Sequence, residues 1–130
     1  MPGQANIYYT TTVVDASIGD TNLTEIGRIT NVAIDANYNR VHLSADVNIV
    51  PDSGVGTVTF GLYRGGVDGT LLGDPWTITL QTGGYQIVTI EAVDLPPAGV
   101  YDYTLGITVS GAGATPTLVG PLVMTATVGG

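Results

Sequence analysis

The chain has 130 residues, a length that suits one domain with its own hydrophobic core. Hydrophobic residues make up 44% and charged residues 11%, a balance that excludes an intrinsically disordered chain. With no Cys, no Lys and three Arg against eleven acidic residues, for a net charge of -8, the chain has no means of forming a disulfide or a Schiff base and no basic patch for nucleic acid.

Membrane and secretion signals are also missing from the pattern. Residues 1–14 contain neither a basic start nor a continuous apolar stretch, so no signal peptide is recognisable. Apolar runs stay well below the roughly 20 residues that a membrane-spanning helix needs. We therefore expect no membrane insertion. A surface with so little charge is poorly protected against self-association, which suits an assembly subunit better than a monomer.

Strand patterns begin in the first third of the chain. Residues 6–14 and 28–35 are β-prone, and only residues 20–27 could hold a helical turn. Residues 40–50 alternate strictly, which predicts a strand with one buried face formed by Val41, Leu43, Ala45, Val47 and Ile49. The turn residues that follow at 51–54 end this strand.

The middle of the chain predicts two further strands and a short return strand. Residues 56–64 form a strand that buries Val58, Phe60 and Leu62. After a glycine-rich turn at 64–69, residues 70–72 form the short return strand, and residues 73–75 end it. A separate strand then places Trp76, Ile78 and Leu80 on its buried face.

The last third continues the series. Residues 85–93 predict a strand with Val88 and Ile90 inward, and the double proline in 94–99 predicts a corner between strands. Residues 100–109 alternate with Tyr101, Tyr103, Leu105, Ile107 and Val109 inward, and residues 117–128 place Leu122, Met124, Ala126 and Val128 on one face. Strands of this length and spacing predict an all-β fold, an antiparallel jelly-roll sandwich of about eight strands.

The N-terminal segment stands apart from this regular series. We divide the chain into residues 1–15, an N-terminal extension or first strand, and residues 16–130, a single jelly-roll domain. The segment can be the first strand of its own sandwich, or it can add to a sheet edge of the next copy and so connect subunits head to tail. For contact between subunits we select these residues: Ile7, Tyr8, Tyr9, Val13, Val14, Tyr63 and Tyr85.

Residues 61–109 resemble a family of bacterial surface modules. The resemblance rests on Leu-Tyr-Arg at 62–64, Gly-Thr-Leu-Leu-Gly at 69–73, Thr-Ile-Thr-Leu at 77–80 and the Pro-Pro-Ala-Gly-Val-Tyr-Asp-Tyr-Thr-Leu run at 96–105. These sequence motifs resemble those of the C1q/TNF-like jelly-roll modules of spore-surface proteins and of endospore-appendage subunits. The resemblance implies an extracellular, spore-surface or cell-surface location. The chain departs from those proteins in having no Gly-X-Y tract and no Cys for covalent linkage.

The polar residues offer weak signals for catalysis or metal binding. His42, Ser44 and Asp46 share one strand face, but neighbours at this spacing lie about 6.5–7 Å apart, too far for a catalytic triad. Asp68, Asp74, Asp94 and Asp102 lack the spacing of a calcium loop and are expected to form turns. Glu25 and Glu91 are the only glutamates, which gives little support to paired-carboxylate chemistry. We predict no enzyme activity, no metal and no cofactor.

Three functions are consistent with these patterns. The first is a non-catalytic structural protein that self-assembles, as a filament or appendage subunit or as a trimeric surface module, with copies of itself as partners. The second is a phage or virus structural or decoration protein. The third is a carbohydrate-binding β-sandwich module, in which Tyr63 or Tyr85 would contact the glycan. A glycan or another surface protein therefore remains a second kind of partner.

Overall fold

The computed structural model describes residues 6–12, 15–17, 23–51, 56–80, 86–110 and 116–129. These residues form nine strands, and none of them lies in a helix. The strands are β1 (Asn6–Thr12), β2 (Asp15–Ser17), β3 (Thr24–Ile34), β4 (Arg40–Pro51), β5 (Thr57–Arg64), β6 (Thr70–Thr79), β7 (Gln86–Asp94), β8 (Gly99–Ser110) and β9 (Pro116–Gly129). Within this described part, no helix is long and apolar enough to cross a membrane.

The strands form two antiparallel sheets that pack face to face. Sheet A has the order β1-β9-β4-β7, with β2 also paired to β9, and sheet B has the order β3-β8-β5-β6. Strand β5 pairs with β6, β4 with β7, β3 with β8, and both β1 and β2 with β9, so the chain follows one long hairpin. The pairings β4 with β9 and β5 with β8 roll this hairpin up. The predicted jelly-roll sandwich is therefore confirmed.

The core lies between the two sheets, where the predicted alternation places it. All five inward residues of β4 are at most 2% exposed, because each faces the opposite sheet. The predicted inward residues of β5, β7 and β9 are buried as well: Val58, Phe60, Leu62, Val88, Ile90, Leu122, Met124, Ala126 and Val128. The period of two works here because one face of each strand packs on a core.

Two sequence predictions about secondary structure are corrected. Residues 24–27 belong to strand β3, so the helical turn expected within 20–27 is wrong where the structure describes it. Strand β6 runs without interruption over residues 70–79, where we expected two strands separated at 73–75. A register shift between Phe60 and Leu62 absorbs the extra residues of β6 as a bulge, so its chain does not need to turn.

Residues on the outer face of β8 are more buried than alternation predicts. Thr104 is fully buried, and its hydroxyl donates to the backbone oxygen of Gly65 at 2.6 Å. Gly106 is also buried: a Cβ there would approach side chains of Leu23 and Val67 to 3.0 Å. The chain therefore covers part of the outer face of sheet B with neighbouring segments, which a two-faced strand pattern cannot show.

Candidate functional site

A self-assembling sandwich needs contact surfaces, and the open edges of its sheets are the first candidates. Among the described residues, each sheet has two edge strands with a hydrogen-bonded neighbour on one side only: β1 and β7 in sheet A, where β2 continues the β1 edge along β9, and β3 and β6 in sheet B. Such a strand presents unpaired N–H and C=O groups to any other strand that approaches. Three of these edges, β3, β6 and β7, differ sharply in how well they are blocked against pairing.

Strand β3 is blocked by irregular backbone and by charge. Its pairing with β8 shifts register twice, and Asn31 in the second shift has a positive φ of 60°. Asp102 holds this irregular backbone, because its carboxylate accepts a hydrogen bond from the backbone N–H of Asn31 at 3.2 Å. Arg28 donates to Asp102 at 2.9 Å and to Glu25 at 2.7 Å, which adds an ion-pair network to this strand. Bulges and charges of this kind prevent further strands from adding.

Strand β6 is blocked at its middle. Its bulge contains Gly73, Asp74 and Pro75, and Gly73 takes a positive φ of 68° that other residues rarely adopt. Pro75 has no N–H to offer to another strand. Trp76 follows the bulge and is 52% exposed, although its register partner Phe60 is fully buried. The prediction of a buried Trp76 is therefore wrong, because the residue lies on an edge strand beside a bulge.

Strand β7 has none of these protections. Its pairing with β4 runs from Gln86 to Asp94 without a register shift. Its sequence contains no Gly, Pro or Lys, and its outer face carries one charge, Glu91. Two apolar residues on that face are open to solvent: Ile87 is 75% exposed and Val93 is 44% exposed. A regular, exposed and partly apolar edge of this kind favours the addition of another strand.

The N-terminal strand lies on its own chain in the structure. Ile7, Tyr8 and Tyr9 pair with β9, and Tyr8 is opposite Ala126. This is the first of the two arrangements that the sequence left open. Three other selected contact residues, Val13, Val14 and Tyr85, lie outside the described residues. Contact between subunits through any of these residues stays a prediction.

Tyr63 is half-buried on the outer face of sheet B. Its ring lies over two glycines that are paired across β5 and β8: a Cβ at Gly61 would come within 2.9 Å of the ring, and one at Gly106 within 3.2 Å. Leu71, opposite Tyr63 on β6, also packs over Gly61. The ring therefore supplies the packing that the glycines lack, while one part of it remains accessible for contact.

A partly buried ion pair joins the two sheets at one end of the sandwich. Arg64 at the end of β5 binds Asp94 at the end of β7 with two hydrogen bonds, of 2.8 and 2.7 Å. Tyr103 is fully buried and donates its hydroxyl to the same carboxylate at 2.8 Å. The Arg64 guanidinium also lies 5.6 Å from the ring centre of Tyr101. The cluster fixes β5 and β8 of sheet B to β7 of sheet A.

The electrostatics of this cluster follow from burial and pairing. Burial acts to raise the pKa of Asp94, but the hydrogen bonds from Arg64 and Tyr103 outweigh it and lower the pKa below its usual value. Burial, and then the hydrogen bond to Asp94, raise the pKa of Tyr103. The hydrogen bond to Asp94 raises the pKa of Arg64. At neutral pH the cluster is therefore a charged pair with a neutral phenol that donates to it.

Tyr101 is half-buried and packs against the core, as predicted, and it also has a polar role that we did not predict. Its hydroxyl donates to the backbone oxygen of Pro97 at 2.8 Å and so holds the chain where it crosses from β7 to β8. The corner predicted at 94–99 corresponds to this crossing between sheets. Because the Tyr101 hydroxyl must reach the exposed backbone oxygen of Pro97, this end of the side chain lies near the surface.

The remaining predicted polar residues are not gathered into a reactive site. His42 is exposed, and the Asp46 carboxylate accepts a hydrogen bond from the Thr89 hydroxyl at 2.7 Å. Asp68 and Asp74 are exposed, whereas Asp94 and Asp102 bind arginines. No group of three or more potential metal ligands occurs within the described ranges. The turn role expected for Asp94 and Asp102 is wrong, since Asp94 ends strand β7 and binds Arg64, and Asp102 lies within strand β8 and binds Arg28.

Sequence reasoning missed the Arg64–Asp94–Tyr103 cluster, although a signal was present. Arg64 continues the inward phase of Phe60 and Leu62, and Asp94 continues the inward phase of Ile90. An acidic and a basic residue at inward positions imply a buried pair, because neither charge is stable alone in a core. The pairing itself needs the topology, since the two residues are separated by 30 positions in sequence.

No protein-family model and no curated protein sequence matches the chain. Several solved structures are similar to it. A chain in the structure of infectious bursal disease virus Gx strain has a TM-score of 0.66 and 14% identity, and the match covers 98% of this chain and 36% of that one. T=1 particles derived from infectious bursal virus give a TM-score of 0.64 and 14% identity, with 98% and 35% of the two chains covered.

A match of another kind is to Bacillus endospore appendages, described as a novel family of disulfide-linked pili. It has 24% identity and covers 98% of this chain and 91% of that one, with a TM-score of 0.47. The viral matches show a shared fold and no more. This chain spans a little over a third of the length of those viral chains, 36% in the first of them.

Proposed function

We propose that the chain is a non-catalytic structural protein that associates with copies of itself, outside a cell or on the surface of a bacterial spore or cell. The observation that carries the proposal is strand β7, a regular open edge whose Ile87 and Val93 side chains remain exposed. Edge strands of monomers usually carry lysine, proline or a bulge as protection. This edge has none of them, in a chain that has no lysine at all.

The polar residues support a role without catalysis. The carboxylates of Asp94 and Asp102 are occupied by Arg64 and Arg28, and the carboxylate of Asp46 accepts from Thr89. A catalytic acid or base must be within reach of a substrate, with a pKa close to the working pH. The pKa of Asp94 is instead shifted downward, and its position between the sheets allows no substrate to approach.

We further propose that residues 1–14 connect subunits head to tail. Strand β1 is held by antiparallel pairing with β9, from Asn6 opposite Val128 to Thr12 opposite Leu122. If β1 leaves its own chain and binds β9 of a neighbour, the same hydrogen bonds form again between subunits. Exchange of an identical element is an accessible route to assembly for this reason. Ile7, Tyr8, Tyr9, Val13 and Val14 would form that interface.

Electron microscopy of two proteins tests this function. The full chain and a variant that lacks residues 1–14 are purified, checked by circular dichroism for a folded, strand-rich spectrum, and imaged after negative staining. We expect ordered assemblies from the full chain and their loss in the variant. Assemblies that persist in the variant would overturn the connector role. A full chain that stays monomeric would overturn self-assembly itself.

The fold is compatible with two kinds of structural protein, which differ in where they assemble. A filament, an appendage or a trimeric C1q/TNF-like module on a spore or cell surface is the first, and it follows the resemblance at 61–109. A phage or virus structural protein is the alternative. The genes beside the coding sequence distinguish them: spore-coat or surface genes support the first reading, and a block of phage structural genes supports the second.

Carbohydrate binding is a second candidate function, favoured by the exposed indole of Trp76. An indole that is 52% exposed can stack on a sugar ring. Glycan binding that is saturable and lost in either Trp76→Ala or Tyr63→Ala, in a protein that remains monomeric, would support this candidate. Retention of binding in both variants, or its absence from the native chain, would dismiss it.

A further inference from the structure

We propose that strand β7 pairs with strand β7 of a second copy, antiparallel and around a two-fold axis through Ile90. The proposal rests on the self-association proposed above and identifies one surface that performs it. The paired strands would join two copies of sheet A into one continuous sheet. This edge lies opposite to β1 in the sheet order, so the contact leaves the N-terminal strand free for its own interface.

The sequence of β7 is complementary to itself in this register. Ile90 is the middle residue of the strand Gln86–Asp94, and the two exposed apolar residues lie three positions on either side of it. An antiparallel pair centred on Ile90 therefore sets Ile87 opposite Val93 of the second copy, twice across the axis. Apolar pairs directly opposite each other stabilise a sheet, and these two cover the exposed side chains on the outer face of this edge.

Charge also favours this register. Glu91 meets Thr89 of the second copy in the same pairing, so the two carboxylates do not lie directly opposite each other. Like charges in directly opposite positions would destabilise the pair. Asp94, the other acid of the strand, is already neutralised by Arg64 in its own chain. Neither acid opposes the pairing of the two edges.

The two edges of sheet B fit this role less well. Strand β3 has two register shifts and the Arg28 ion pairs, and strand β6 has the bulge with Pro75. Pairing of β7 with either of them would meet an interrupted row of backbone groups. Pairing of β7 with itself joins two regular edges, and a two-fold contact of identical surfaces closes on itself, so it yields a defined dimer.

Mixed disulfide formation tests the register directly, since the native chain has no cysteine. Thr89 and Glu91 are both exposed. In the proposed dimer, a cysteine at position 89 of one copy lies directly opposite a cysteine at position 91 of the other, so the two variants are Thr89→Cys and Glu91→Cys. Under mild oxidation we expect a covalent dimer from a mixture of the two variants and little from either variant alone. Within one variant the two cysteines would be diagonal neighbours at about 7–8 Å, beyond the usual reach of a disulfide.

A second measurement follows the strength of association. Ile87→Lys places a charge on the apolar pair, and Val100→Lys is the matched control, an exposed apolar residue at 64% exposure on β8. We expect the dissociation constant from sedimentation equilibrium to rise about tenfold or more for Ile87→Lys. Val100→Lys should match the native chain.

The outcomes separate this inference from the proposed function. The β7 pairing would be overturned if the native chain associates, the two cysteine variants form no mixed disulfide, and Ile87→Lys associates as strongly as the native chain. Self-association itself would still stand. A native chain that remains monomeric at every concentration would overturn both. A mixed disulfide together with weaker association of Ile87→Lys supports the pairing.

Discussion

At the scale of single residues, the Arg64–Asp94–Tyr103 cluster explains how the two sheets are held in one relative position. Packing of aliphatic side chains alone permits small shifts, whereas a bidentate ion pair fixes both distance and orientation. The partners come from β5, β7 and β8, so the cluster binds both sheets at once. Its strength depends on complete pairing, because a buried carboxylate that loses a partner destabilises the fold.

Tyr103→Phe tests the contribution of the phenol. The variant keeps the ring and removes the hydrogen bond of 2.8 Å to the buried carboxylate, so we expect a loss of about 1.5–2 kcal/mol in the free energy of unfolding. Chemical denaturation measures it. Tyr101→Phe is the control, because its hydroxyl bonds an exposed backbone oxygen and should contribute less. An equal or smaller effect at Tyr103 would contradict this role of the cluster.

The pKa of Asp94 gives a second test. Because the pKa of this carboxyl is lower in the folded chain than in the unfolded one, its contribution to stability is complete above the unfolded pKa of about 3.9. The contribution is lost as the pH falls through the lower, folded pKa. We expect denaturation curves of the native chain and of Asp94→Asn to differ most above about pH 4 and to converge in acid. A constant difference from pH 6 to pH 2 would contradict the shift.

At the scale of elements, regular strands could be predicted and irregular ones could not. The buried face of strand β4 could be predicted because its alternation is unbroken. Val41 and Ile49, eight positions apart, face the same core, and the pairing with β7 has no register shift. Trp76 was misread because alternation assumes an unbroken ladder and a covered strand. Strand β6 has a bulge and lies at the edge of its sheet, so both assumptions fail. The alternation of apolar residues along the sequence shows neither the bulge nor the edge position.

The edges themselves show the same division. Which strands lie at an edge depends on long-range pairing, such as that of β4 with β9, which local sequence does not encode. The candidate surface at β7 was therefore not predicted, although its alternation was. The N-terminal segment, in contrast, could be singled out because it precedes the regular strand series. Its alternatives could not be separated, since the same pairing with β9 serves within one chain and between two.

Gly73→Ala tests the bulge of β6. A Cβ at Gly73 meets no atom within 4 Å, so the effect of the substitution comes from its positive φ alone. We expect a loss of about 1–2 kcal/mol in the free energy of unfolding. Gly129→Ala is the matched control, with equally open space and no positive φ, and should change stability by less than about 0.5 kcal/mol. Equal effects of the two substitutions would contradict the requirement for glycine in the bulge.

At the scale of the whole molecule, the jelly roll leaves surfaces on two opposite sides of sheet A. Strand β7 lies at one side with its exposed apolar residues, and strand β1 lies at the other. A two-fold contact at β7 and an exchange of β1 would together link subunits in series, because each subunit then has two different neighbours. A chain with low charge and no lysine is suited to such repeated contact.

Sedimentation velocity of the full chain over a wide range of concentrations tests self-association most directly. We expect the mean mass to rise with concentration, from single chains to dimers and larger species, at neutral pH and moderate salt. Because the proposed contacts are apolar and backbone pairings, added salt should not reverse the rise. One species with the mass of a single chain at every concentration would contradict self-association.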